Sequence, residues 1–264
     1  MICKTKKPLL NMHSTLRHIS LAMLATALCL GACKKEEAET PSTDNSGGGG
    51  GSTTTPSSTP SFNGADGVLW AINTFSSQTV AGFPIEVQSG MGVATFPTEA
   101  SASTYVDAGT VKLNDVELTR QSNNSYILIP SMSNPTGIDF SSGSTHWTVS
   151  GANGIPAVDQ SPSFGFPDVG DITSSTTVTR SSGYTLSVAS ISPSDSVVFM
   201  VGSVVKYKPS GSTSCTFSAS ELSGISSGAS IIQVSPYSYQ HTVIGGKDFY
   251  FGKQTARSVS ATVQ

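Results

Sequence analysis

SVVFMVGSVVKYK, residues 196–208, decides the fold class. Two runs rich in β-branched and aromatic residues, 196–202 and 204–208, meet at Gly202-Ser203. Such short runs read as strands: branched and ring-bearing side chains fit a pleated surface, and Gly and Ser interrupt it. In the second run Lys206 and Lys208 alternate with Val205 and Tyr207. That is the period of a half-exposed strand, with both lysines expected at the surface.

The same pattern extends outward in both directions. Strands are expected at 68–75, 92–96, 110–113, 116–120, 126–129 and 145–150. After a Pro-rich stretch at 155–168 they resume at 176–180, 184–189, 216–218, 230–234, 248–251 and 258–263. Leu113-Asn114-Asp115-Val116 reads as a tight hairpin turn, and almost nothing reads as helix. Many short strands between turn signals predict an all-β fold, a sandwich or a barrel. The break at 155–168 divides the body into a first β-domain, 63–158, and a second, 159–264. The expectation is two immunoglobulin-like β-sandwich domains in tandem, with one large sandwich as the alternative. The likeness is architectural, since the second domain has only Cys215 and no inter-sheet Cys pair.

Residues 38–62 (AETPSTDNSGGGGGSTTTPSSTPSF) contain almost nothing apolar, so they are expected to form no core and to act as a disordered tether. A Gly/Ser-type coil of this length spans about 25–30 Å. Residues 1–32 hold four of the fourteen Lys+Arg and none of the seventeen Asp+Glu, leaving ten basic and seventeen acidic residues, a net charge near −7. With no basic cluster to meet phosphates, nucleic acid is not an expected partner.

Little in the body points to catalysis. Gly224-Ile225-Ser226-Ser227-Gly228 matches the spacing of a nucleophile elbow, but that motif needs a strand before it and a helix after it. Here a strand-like run follows, and no Asp or Glu lies between Ser226 and His241. His146 and His241 are the only histidines after residue 32, and neither has a second ligand at zinc spacing. Asp168 and Asp171 fit no EF-hand loop. Asp115 and Glu117 are paired carboxylates on an expected hairpin, where solvation is the ordinary role. No catalytic residue, metal or cofactor is therefore assigned. Trp70 and Trp147 share parity with apolar neighbours and read as core. Tyr237, Tyr239 and His241 share one parity in Pro-Tyr-Ser-Tyr-Gln-His and are the best candidates for a ligand face.

The N-terminus carries the most specific signal. Lys4, Lys6, Lys7 and Arg17 precede an apolar run at 19–32, too short for a membrane span of about 20 residues. A basic start, a short apolar core and small residues before a cut describe a secretory signal. The run ends Leu30-Gly31-Ala32-Cys33, which resembles the lipobox of bacterial lipoproteins. That resemblance implies cleavage before Cys33 and a diacylglyceryl group on it, and two acyl chains hold a protein stably at a bilayer. Cleavage would remove Cys3 and Cys29, leaving Cys215 as an unpaired, buried thiol. Lys34, Lys35, Glu36 and Glu37 are similar to the export signal of surface lipoproteins in the Bacteroidota. Asp195-Ser196-Val197 resembles the short O-glycosylation sequon of secreted proteins from the same group.

The expectation is a non-enzymatic lipoprotein of the outer membrane, exposed at the cell surface, with a periplasm-facing placement as the alternative. Its partners would be the lipid bilayer and a glycan or an envelope protein. A fimbrial-type structural subunit is the second reading and a glycan hydrolase the last. No linker arginine is present for fimbrillin-type maturation, since the first Arg after Cys33 is Arg120.

Overall fold

The structure is a computed structural model that describes Phe62, 64–80, 83–98 and 101–264. Cys33 and 34–37 lie outside the described residues. The described chain is nearly all β. Its strands are β1 (Gly67–Val80), β2 (Phe83–Thr95), β3 (Pro97–Thr98), β4 (Ser101–Tyr105), β5 (Val111–Leu113), β6 (Val116–Glu117), β7 (Thr119–Arg120), β8 (Tyr126–Leu128) and β9 (Trp147–Val149). They continue as β10 (Val158–Gln160), β11 (Thr177–Val178), β12 (Tyr184–Ser187), β13 (Ser196–Val201), β14 (Val204–Pro209), β15 (Ser214–Phe217), β16 (Gly228–Ile244) and β17 (Lys247–Val263). One short helix, α1 (Ala219–Leu222), precedes β16.

One nine-stranded sheet organises the molecule, in the order β14-β13-β16-β17-β1-β2-β8-β7, with β11 on the far end of β17. The β1–β17 pair is parallel, from Gly67↔Phe249 to Ser77↔Val259. Side chains alternate between faces, so each strand feeds two layers. On one face Leu69, Ala71, Phe249 and Phe251 enter a first core, closed by the four-stranded sheet β10-β9-β5-β6 with Trp147 and Val149. Farther along the same face Val197, Phe199, Val201, Val234, Ala261 and Val263 enter a second core, closed by β12–β15 and Leu222 of α1. On the opposite face Trp70, Ile72, Met91, Val93, Val198 and Tyr237 form a third cluster.

The sheets form a sandwich-like body with two cores under one shared sheet. The boundary expected at 158/159 falls within β10, and strands from both sides of it, β1 and β17 among them, pair in this one sheet. The sharing follows from strand length. β17 has seventeen residues and spans roughly 55 Å, so its first half serves one core and its second half the other. Between them, on the same face, Lys253 and Arg257 hold the 155–171 connection. Lys253 is 2% exposed, and its ammonium donates to the carbonyls of Gly143, Pro162 and Phe164 beneath the rings of Phe164 and Phe166. Burial away from water lowers its pKa. Arg257 donates to the Val169 carbonyl and pairs with Glu86 and Asp171.

Candidate functional site

Tyr237, Tyr239 and His241 do project from one face of β16, but they meet different surroundings. Tyr237 lies opposite Ser196 and Gln254, and its ring sits 5.5 Å from Trp70 at 60°. It is 1% exposed, and burial drives its hydroxyl pKa upward. Tyr237 is thus core rather than ligand face, because β13 still flanks β16 at that rung. Beyond it β13 ends, and Tyr239 is 36% exposed. The Asp195 carboxylate accepts the Tyr239 backbone N–H at 2.8 Å, just past the last β13–β16 rung.

The partners that complete the rim come from β17 and from the chain before β1. Tyr250 sits opposite His241, with ring centres 4.8 Å apart at 35°, and 6.0 Å from Tyr239. His241 Nε2 is 2.6 Å from Asp248 Oδ1. Lys247 donates to Asp66 at 2.7 Å, and Asp66 also accepts the Asp248 N–H at 2.9 Å. Asp66 keeps a pKa below the ordinary carboxylate range: burial opposes this, but the Lys247 and Asp248 hydrogen bonds outweigh it. Phe62 closes the group, 5.1 Å from Tyr250, 5.4 Å from Tyr239 and 5.7 Å from Trp70. The result is an aromatic floor edged by a His–Asp pair and a Lys–Asp pair. Rings offer apolar faces and the edge offers donors and acceptors, a combination that suits a ligand with both kinds of surface.

Tyr250 and Phe62 escape sequence reading. Tyr250 stands inside Phe249-Tyr250-Phe251, where three consecutive rings conceal which one faces outward. Phe62 is the only large apolar residue of the 38–62 tract, and that isolation is the signal that could have found it.

The other sequence candidates sit apart from this rim. Ser226 is exposed, with α1 before it and β16 after it, the reverse of an elbow. It precedes the start of β16, while His241 lies thirteen residues along that strand, roughly 40 Å away. Arg180 donates to the Ile225 carbonyl and the Ser227 hydroxyl, which makes this stretch an anchored turn. Asp115 lies in the hairpin turn and Glu117 borders a groove of about 620 Å³ with Asp107, Arg120 and Tyr126. Asp107 there accepts from Gly109 N, Tyr126 Oη and Arg120, so it serves as a structural acceptor. The Tyr126 hydroxyl is pushed up to about 12 by burial and by that carboxylate. His146 pairs with Asp159 at 2.7 Å. Among the described residues no group of three or more His, Cys, Asp or Glu is placed to hold a metal. Ser196 is 4% exposed and donates its hydroxyl to the Lys208 carbonyl, so the sequon-like serine is closed off. Lys206 is no plain surface residue: its strand position faces the second core, where it bonds Glu221 and the Thr216 carbonyl. Trp70, Trp147 and Cys215 are all buried.

No protein-family model and no curated protein matches this chain. The class it defines is an all-β, sandwich-like protein with an aromatic rim at one end of its long sheet.

Proposed function

We propose that this chain is a non-enzymatic lipoprotein, anchored through a diacylglyceryl group on Cys33, whose β-body binds glycans at the cell envelope through the Tyr239–His241–Tyr250 rim. The observation that carries the reading is the rim itself: two partly exposed tyrosines, a histidine and the Asp248 and Asp66 carboxylates at one strand end. A pyranose has an apolar C–H face and a polar edge, and the rim offers a counterpart to each. The order of basic segment, apolar run and Leu30-Gly31-Ala32-Cys33 supports the anchor. Lys34, Lys35, Glu36 and Glu37 support export to the outer face of the outer membrane, as in surface lipoproteins of the Bacteroidota.

A glycan array probed with the lipid-free secreted chain and its Tyr250→Ala variant tests the rim. Binding that Tyr250→Ala abolishes supports it, and identical profiles for the two proteins sink it. Loss of palmitate labelling in a Cys33→Ser variant tests the anchor independently.

A fimbrial-type subunit is the second reading, favoured by β2. Phe83, Ile85 and Val87 project from one face of that strand and are 72%, 44% and 44% exposed. Among the described residues 83–88 pair only with β1, and an open apolar edge is a template for another chain. Concentration-dependent polymers that a Phe83→Ser, Ile85→Ser double variant abolishes would favour this reading over the first.

A further inference from the structure

Phe62 ends the low-complexity tract, yet it is only 4% exposed. Its ring fills the angle between Tyr239 and Tyr250 and meets the edge of Trp70. Its carbonyl accepts the Ala65 N–H at 3.0 Å. The firm attachment comes at Asp66, which exchanges backbone and side-chain bonds with Asp248 and Lys247. The ring thus lies four residues before this attachment, against the rim. Its contacts with Tyr239 and Trp70 are edge-to-face, at 83° and 66°, and that with Tyr250 is tilted at 59°; a phenyl ring and a pyranose are similar in size, and both offer apolar surface to aromatic neighbours.

We infer that Phe62 is a built-in occupant of the ligand cleft, so that the unliganded rim is closed and a glycan binds by displacing it. This rests on the glycan-binding reading of the rim. With Phe62 seated, a ligand meets only the outer parts of Tyr239, Tyr250 and His241. With Phe62 out, the parts of Tyr239, Tyr250 and Trp70 that it now touches are open to a ligand. Affinity is then reduced by the fraction of molecules in which the cleft is open.

The test uses the full lipid-free chain as wild type, Phe62→Ala, Phe62→Tyr and Tyr250→Ala. Trp70 and Trp147 are the only tryptophans, and Trp147 is fully buried in the first core. Acrylamide quenching of fluorescence therefore reports on Phe62 through Trp70, with Trp147 as the shielded reference. One tryptophan is expected to become quenchable in Phe62→Ala and to stay shielded in wild type and Phe62→Tyr. Against a panel of xylan, mannan, dextran, chitooligosaccharide and mucin glycans, Phe62→Ala is expected to bind about tenfold tighter than wild type, as when a competent state populated at about a tenth becomes dominant. Phe62→Tyr should bind like wild type and Tyr250→Ala should not bind. Detectable and equal binding by wild type and Phe62→Ala, or Trp70 equally shielded in both, overturns the inference. If no form binds while Trp70 is unmasked only in Phe62→Ala, the glycan reading falls and the seated Phe62 stands.

Discussion

Gly252 sits at the centre of the third cluster because nothing larger fits. A Cβ built there would lie 2.1 Å from Trp70 Cε3, so the indole rests directly on the β17 backbone. Trp70 cannot retreat easily: its Nε1–H donates to Gln254 Oε1 at 2.9 Å and its ring abuts Phe62 and Tyr237. Gly252→Ala is expected to cost about 1–3 kcal/mol through overpacking, read as a lower urea midpoint, and an unchanged midpoint would refute the contact. Glu221 illustrates a polar constraint at the same scale. It closes the capping box of α1 with Ser218 and bonds Lys206. The Lys206 hydrogen bond, then the Ser218 N–H and hydroxyl, draw its carboxyl from 4.5 down to about 2. The folded state then binds fewer protons than the unfolded state between those values. The contribution is whole above about pH 4.5 and fades as pH falls towards 2. Glu221→Gln keeps an acceptor but not the charge, so its stability should vary less than wild type across that window in acid titrations followed by circular dichroism.

At the scale of elements, the turn Asn114-Asp115 shows sequence and backbone in agreement. Both residues have positive φ, 49° and 63°, and Leu113 pairs with Val116, the geometry of a two-residue hairpin. Asn114 is held by its own side chain, which accepts from His146 N and donates to the Asp139 and Ser144 carbonyls. Asp115→Gly should therefore hold or raise stability by up to about 1 kcal/mol, since Gly takes φ > 0 without a Cβ penalty. A lower thermal midpoint would contradict this. Strand existence was legible wherever Val, Ile, Phe and Tyr cluster, as in β13, β14 and β8. Strand length was not. The runs 248–251 and 258–263 are one strand, β17, whose middle carries Lys253, Gln254, Thr255 and Arg257. Polar residues read as a gap, whereas here neighbours on both sides, β16 and β1, bury them. The expected strand stops at 234 because Pro236 and the polar positions after it resemble a strand end, yet β16 continues to Ile244. Of the rim, parity revealed Tyr239 and His241; Phe62 and Tyr250 depend on pairings remote in sequence.

The whole molecule joins its two cores through β16 and β17, so neither core should unfold alone. Phe199 is buried in the second core, while Trp70 and Trp147 lie outside it. Phe199→Ala should cost about 3–5 kcal/mol. Both tryptophans should then report the lowered denaturation midpoint together with far-UV circular dichroism. A tryptophan midpoint left unchanged would mean two independent units. The same continuity places the rim at the end of the sheet that holds Phe62, the last residue of the 38–62 tract. A rim that meets glycans must be held where glycans are. Protease shaving of intact cells, followed by blotting for the β-body, tests that most directly. Prompt release of a fragment corresponding to 63–264, with periplasmic markers untouched, is the predicted result. Protection until the outer membrane is breached would contradict display at the cell surface.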